Sequence, residues 1–511
     1  MSVSLAQLSL AHYYLQKTLL ANVYQVAKVT PLTPLKKLSA RLNSQILLKR
    51  EDLQPVHSFK LRGAYNRIVN LSAEQRACGV VCASAGNHAQ GVALSANKLG
   101  INALIVMPVT TPEIKVDAVR RFGAEVKLIG QSFDEANHYA KQQAEEYGRV
   151  YIAPFDDEDV IAGQGTIAQE LLQQQQDLDA IYVPVGGGGL AAGVAAYYKA
   201  VMPHVKIIAV EPEDSACLKA AIAAGHPVDL AQVGLFADGV AVKRIGEKTF
   251  KVAQLYIDDV ITVSSDEICT AVKDIFEDTR AIAEPSGALA LAGLKKNRSA
   301  HADNEKLAAI LSGANVNFHS LRYMSERCEL GEQKEAVLAV KIPEQPGSFL
   351  RFSQLLGSKG ITEFNYRFSG RQQAVVFAGI RVNGIDDVKQ LTQTLIDADF
   401  DVEDLSHDET AKLHVRYMVG GKPSTVINER IFSFEFPEHP GALLQFLMTL
   451  KSRWNISLFH YRNHGAAYGK VLVGFEVKAE DDEQLHRLFD QLGFVYHEET
   501  QSRAYQLFLQ S

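Results

Sequence analysis

The sequence predicts two architectures in one chain: an α/β body with a largely parallel sheet, then an α+β region built from a repeated module. Two observations carry this. Short apolar runs alternate with helical stretches from residue 79 to about residue 310, the order expected of strand, helix, strand units. After Ser320 the order of elements changes, and one set of short words occurs twice. The 511 residues, 47% of them hydrophobic and 22% charged, are enough for two or three cores.

The first 50 residues open with a helical pattern, are interrupted by Pro31 and Pro34, and reach the strand-like Ile46 to Arg50. Ser58, before the helix-compatible run Phe59 to Asn70, reads as an N-cap and places Lys60 in the first turn. A cation there is disfavoured by the positive end of the helix dipole. More of the amine is then the neutral nucleophile, the form that condenses with a carbonyl. A solvated first-turn lysine is the ordinary alternative. The β runs that follow are Gly79 to Ala83, Ala103 to Met107, Glu125 to Ile129, Val150 to Ile152, Ala180 to Val185 and Lys206 to Val210. Helices between them carry the usual punctuation, Gly100 after Ala89 to Leu99 and Pro112 at the start of a helix ending before Gly123.

Beyond Ser320 the predicted order is strand Ala336 to Ile342, helix Ser348 to Leu356, strands Ile361 to Arg367 and Ala374 to Val382, and helix Asp386 to Asp397. A second copy runs through Ile431 to Phe436, Ala442 to Leu450, Ile456 to Arg462, Lys470 to Val477 and Asp481 to Leu492. Glu344 and Pro346 recur 94 positions later as Glu438 and Pro440, and Tyr366 recurs 95 later as Tyr461. The unit reads as βαββα and resembles the ACT-like modules that bind amino acids as regulators. A repeat that only joins subunits is the competing reading.

Composition excludes several function classes. A net charge of -7 without a basic cluster argues against nucleic-acid or acidic-membrane partners. No apolar run approaches a membrane span, and Met1 to Lys17 lacks the basic start of a secretion signal, so a cytoplasmic protein is expected. The five cysteines, odd in number and without paired spacing, read as reduced and mostly buried.

Three stretches follow strands and open helices. Ser84, Ala85, Gly86, Asn87 and His88 form a small-residue turn suited to a carboxylate. Gly186, Gly187, Gly188, Gly189 and Leu190 allow close backbone approach and read as a phosphate cradle. Their spacing does not fit a dinucleotide fingerprint, although Glu211 after the next strand keeps an oxidoreductase open as an alternative. Ser312 lies in Leu311-Ser312-Gly313-Ala314-Asn315, a turn that alone suggests only a cap. A candidate Schiff-base lysine, a carboxylate site and a phosphate site together point to pyridoxal phosphate chemistry.

Ser-Phe-Lys-x-Arg-Gly-Ala, Ser-x-Gly-Asn-His-Ala, the four glycines with leucine, and Leu-Ser-Gly-Ala-Asn, in this order, resemble the fold-type II (tryptophan synthase β-like) pyridoxal-phosphate enzymes of the threonine/serine dehydratase group. The repeated C-terminal modules narrow the resemblance to the biosynthetic threonine dehydratases. It implies a catalytic domain over 1–322, with a small subdomain of about 55–155 inserted, and a regulatory domain over 323–511. The two ACT-like repeats fall at about 336–407 and 430–504.

The same resemblance implies roles. Lys60 holds the cofactor covalently and takes the Cα proton, Phe59 packs near the ring, and Asn87 bonds the ring hydroxyl. Gly186 to Leu190 hold the phosphate, Ser312 faces the pyridine nitrogen, and Ser84 to His88 surround the substrate carboxylate. L-Threonine would give 2-oxobutanoate and ammonia, and L-serine pyruvate. Isoleucine would inhibit and valine oppose it, with Tyr366, Arg367, Tyr461 and Arg462 near the effector sites of a homotetramer. Glu211 matches a cation ligand of some relatives, but Cys217 stands where they place an aspartate, so no metal is expected. Glu284 matches the family near the active site without an evident role. A catalytically inactive amino-acid sensor is the alternative from another class.

Overall fold

The computed structural model describes residues 5–318, 320–332, 334–343, 348–357, 359–365, 373–415, 428–437, 446, 449–450, 454, 456–462 and 468–509. It divides into two compact units, Met1–Phe318 and His319–Ser511.

The first unit contains two sheets. The larger has the strand order Leu32–Pro34, Gln45–Arg50, Lys306–Leu311, Ala180–Pro184, Lys206–Pro212, Asp259–Val263, parallel except for the first pair. The smaller has the order Glu125–Leu128, Ala103–Met107, Val80–Ala83, Val150–Tyr151 and is parallel throughout. The central strands Ala103–Met107 and Ala180–Pro184 are buried at every residue, which is why they are continuous apolar runs without alternation. Two edge strands escaped the sequence reading. Leu32–Pro34 lies between prolines and tolerates them because it pairs with Gln45–Arg50 alone, and Asp259–Val263 lies at the opposite edge.

The helix Lys60–Val69 begins without the expected cap. Phe59 is the N-cap residue, already in helical conformation, and no side chain bonds the helix start. Ser58 instead forms an antiparallel bridge with Gly313, and its hydroxyl is buried without a protein partner. The chain enters the bridge through His57, whose φ of 52° is unusual for a non-glycine residue.

Packing then fixes this helix on two sides. A Cβ on Gly163, in the helix Glu158–Gln174, would lie 2.7 Å from the Arg62 carbonyl oxygen and from the Gly63 Cα. A Cβ on Gly91, in the helix Asn87–Lys98, would lie 3.0 Å from the Leu61 nitrogen. Beneath the helix lies a set of fully buried charges. Arg62 donates to Glu51 twice at 2.8 Å and to Glu170 at 2.6 and 3.1 Å, and Lys49 donates to Glu170 at 2.6 Å.

The second unit contains two four-stranded antiparallel sheets of the same topology. Their orders are Ile361–Asn365, Gln373–Arg381, Glu335–Pro343, Asp401–Asp404 and Ile456–Arg462, Tyr468–Glu476, Glu429–Pro437, Tyr496–Glu498. Each copy therefore ends in a fourth strand that the βαββα reading lacked, short in both copies and polar in the first. The words at 344–347 and 438–441 lie outside the described residues, as does most of the expected helix Ala442 to Leu450.

Removing the Arg62 guanidinium leaves Glu51 buried without its cation and Glu170 with Lys49 alone. Arg62→Met is expected to destabilise the first unit by about 3–5 kcal/mol, measured as a shift of its denaturant midpoint. A variant within 1 kcal/mol of the parent would contradict that.

Candidate active site

The site lies where strands of both parallel sheets end, the place where open α/β sheets bind ligands. None of its three helix starts carries a side-chain cap. The helix Gly189–Val201 has Gly188 as its N-cap residue at φ 87°, with no side-chain cap. The carbonyls of this glycine turn are engaged, Gly186 O by the Cys217 thiol, Gly187 O by the Thr249 hydroxyl at 2.7 Å, and Gly188 O by the Ala192 N-H at 2.8 Å. The first-turn N-H groups have no intrahelical partner by construction, so the turn presents donors to an anion. A Cβ on Gly187 would fall 2.1 Å from the Phe155 ring, so only glycine lets that ring close over the turn. A phosphate fits this donor set.

The helix Asn87–Lys98 is the second uncapped start, following Ser84 to Gly86. Gly86 N donates to the Ser84 hydroxyl at 3.3 Å, which shapes the turn. His88 points away from it. Burial, and then the charge of nearby Lys60, push its imidazole down to about 3, and the neutral ring donates through Nε2 to Ile152 O at 2.9 Å. Its contribution to the turn is therefore its backbone.

Lys60 is the third component. Its Nζ donates to Pro154 O at 3.3 Å and lies 5.2 Å from the centre of the Phe59 ring. Burial holds its ammonium down at about 8, against the pull of Glu284. The depressed amine predicted from the helix dipole is thus present, with desolvation as the main cause. Phe59 N donates to Ser312 O at 3.2 Å, which ties the lysine segment to the end of the strand Lys306–Leu311. The Ser312 hydroxyl is buried and donates to Ser286 O at 3.2 Å.

Asn87 sits in an amide network. Its Nδ2 donates to Glu284 Oε1 and its Oδ1 accepts from Asn315 Nδ2, both at 2.6 Å. Sequence reasoning gave no role to Asn315, although it ends a quoted motif, and missed Phe155 and Thr249. Asp156 was missed too. It accepts from the backbone N-H groups of Glu247, Lys248 and Thr249 and so holds the start of the helix Glu247–Tyr256. Glu211 caps the helix Cys217–Ala224, accepting from Leu218 N at 2.7 Å and Lys219 N at 2.9 Å. Tyr366 and Arg367 lie outside the described residues, as do the side chains of Tyr461 and Arg462, whose backbone belongs to the strand Ile456–Arg462.

Residues 23–313 match the family model of pyridoxal-phosphate dependent enzymes, and residues 326–415 and 420–509 match that of the C-terminal regulatory domain of threonine dehydratase. The biosynthetic L-threonine dehydratase of Escherichia coli is 61% identical over 97% of this chain and 97% of its own. This chain belongs to the biosynthetic threonine dehydratases. The chloroplastic biosynthetic threonine dehydratase 1 of Solanum lycopersicum is 49% identical, covering 97% of this chain and 82% of that protein. Among solved structures, the processed form of threonine deaminase isoform 2 from Solanum lycopersicum matches with a TM-score of 0.61 at 48% identity, covering 62% of this chain and 93% of that one. Maize serine racemase matches with a TM-score of 0.58 at 34% identity, covering 62% and 97%. Threonine dehydratases of this family are pyridoxal-phosphate dependent lyases, and the uncapped glycine turn and depressed lysine fit that cofactor.

Two tests follow the geometry. Gly187→Ala is expected to displace the Phe155 ring and reduce retained cofactor, read as loss of yellow colour after dialysis, and Phe155→Ala in the same chain should recover part of it. For the cofactor-free protein, the folded Lys60 value of about 8 lies below the ordinary lysine value of roughly 10.4. Between those limits the unfolded chain binds more protons, so stability rises with pH. Thermal midpoints measured across this window should rise more steeply for the parent than for Lys60→Met.

Proposed function

We propose that the chain converts L-threonine to 2-oxobutanoate and ammonia, and L-serine to pyruvate, as the first committed step of isoleucine biosynthesis. The observation that carries this reading is Lys60, a half-buried lysine whose amine is held near 8 beside two helix starts without side-chain caps. Bound there, pyridoxal phosphate supplies a carbonyl for an amine to condense with and an electron-poor ring that draws charge from Cα. Gly186 to Leu190 would hold its phosphate through backbone N-H groups and Asn87 its ring hydroxyl, and Phe59 would pack near the ring.

Lys60 takes the proton from the substrate Cα, for which a value near the working pH suits a general base. Ser84, Ala85, Gly86, Asn87 and His88 orient the substrate carboxylate at the start of a helix, mainly through backbone donors. Ser312 would face the ring nitrogen with a hydroxyl. Unlike an aspartate, it would bring no charge to hold a proton there.

The matches of residues 326–415 and 420–509 to a regulatory domain support a division into a catalytic part, 1–322, and a regulatory part, 323–511. Isoleucine is the inhibitor in this reading and valine its opponent, with Tyr366, Arg367, Tyr461 and Arg462 as the candidate effector contacts. Kinship with the biosynthetic enzymes is the basis for a cytoplasmic homotetramer. Among the described residues no helix is long and apolar enough to cross a membrane.

The deciding measurement is 2-oxo acid formation from threonine, with and without isoleucine. Turnover by the parent, its loss in Lys60→Ala, and its suppression by isoleucine are expected. Arg462→Ala should retain turnover and respond less to isoleucine. Isoleucine binding without product would favour the inactive sensor.

A further inference from the structure

Glu284 is 4% exposed, at the N-cap position of the helix Pro285–Lys296. The donors around it leave little freedom. Val56 O can only accept, so the side-chain nitrogen of Asn315, 2.8 Å away, is a donor. That nitrogen also lies 2.6 Å from the side-chain amide of Asn87, which must present Oδ1 to it. Asn87 Nδ2 is thereby turned to Glu284 Oε1, also 2.6 Å away. One Asn87 N-H is consumed by the carboxyl, and one remains. Glu284 itself is wedged. A Cβ on Gly313 would lie 2.3 Å from Oε1, and Glu284 N donates to Gly313 O at 3.3 Å.

We infer that Glu284 is a positioning residue for the cofactor: it locks the Asn87 amide so that the remaining N-H is presented to the ring hydroxyl of pyridoxal phosphate. This rests on the assignment of Asn87 to that hydroxyl in the proposed function. The charged groups acting on Glu284 are Asp238, Lys115, which pairs with Asp238 at 2.5 Å, and Lys60. Burial, then Asp238, push its carboxyl up to about 7, while the Asn87 side chain, Lys115 and the Asn315 backbone N-H pull it down. Above that value the ionised group accepts from both asparagines. Below it the group carries its own proton, and the clamp weakens.

The test uses the full chain, stripped of cofactor and titrated with pyridoxal phosphate. Asn87→Ala and Glu284→Ala are each expected to weaken binding about ten- to hundredfold, the range of one hydrogen bond to a charged group. Both should shift the absorption band of the bound cofactor in the same direction, and the double variant should bind no more weakly than Asn87→Ala alone. Glu284→Gln keeps an acceptor oxygen, so it should retain affinity while losing a spectral transition near pH 7. Parental affinity and spectrum in Glu284→Ala, or additive losses in the double variant, would overturn the inference. Where Glu284→Ala does not fold, Glu284→Gln decides, and a pH response unchanged from the parent overturns it. Parental affinity and spectrum in Asn87→Ala would instead remove the cofactor assignment on which the inference stands.

Discussion

The helix that carries Lys60 is gripped from behind by four buried charges. Successive residues of an α-helix are about 100° apart, so Arg62 faces away from Lys60 by about 200°. Its guanidinium lies between Glu51 and Glu170, and Lys49 completes a set with no net charge. Burial alone would raise the Glu51 carboxyl, yet Arg62 beside it keeps it below the ordinary carboxylate range. Such a set is a poor source of stability compared with well-packed apolar residues, but it is intolerant of the loss of a member. Its geometric effect is to tie the helix Lys60–Val69 to Glu51, just past the strand Gln45–Arg50, and to the helix Glu158–Gln174. The lysine is then aimed by residues that never reach the site.

The second unit follows a different logic. In the strand Glu335–Pro343, Ala336, Leu338, Val340 and Ile342 face the helices of their own module, whereas Val337 and Ala339 enter a core shared with Ile431, Leu472 and Tyr505 of the second copy. Both faces of the strand are buried, which accounts for its unbroken apolar run. His414 and His460 meet across the same region, nitrogen to nitrogen at 2.9 Å. The two copies are therefore one packed body, joined through a shared core.

Local physics explains what could be read from the sequence. Strands such as Ala103–Met107 are legible because burial on both faces demands unbroken apolar residues, and the glycine turn because four residues without side chains have few other uses. The Ser58 cap was misread because the competitor for that backbone, Gly313, is distant in sequence. The charge set under Lys60 left no sign either, since Lys49, Glu51, Arg62 and Glu170 look like surface residues until folding brings them together. Asp401–Asp404 was missed because its sequence, Asp-Val-Glu-Asp, is too polar to suggest a strand. The clamp on Asn87 was invisible for the same reason as Gly313, its partners being Glu284 and Asn315.

The contact of Asn315 with Val56 joins positions 259 residues apart. Closing so long a loop carries an entropy cost that grows with the logarithm of its length, and only the completed sheet offsets it. A ribosome-bound chain has already made Lys60 and the glycine turn long before the strand Lys306–Leu311 emerges. The contacts that fix the lysine segment against the end of that strand are consequently among the last to form. A chain that ends before the strand Lys306–Leu311 lacks Ser312, Gly313 and Asn315, and with them the bonds that hold the segment Val56 to Phe59 in place.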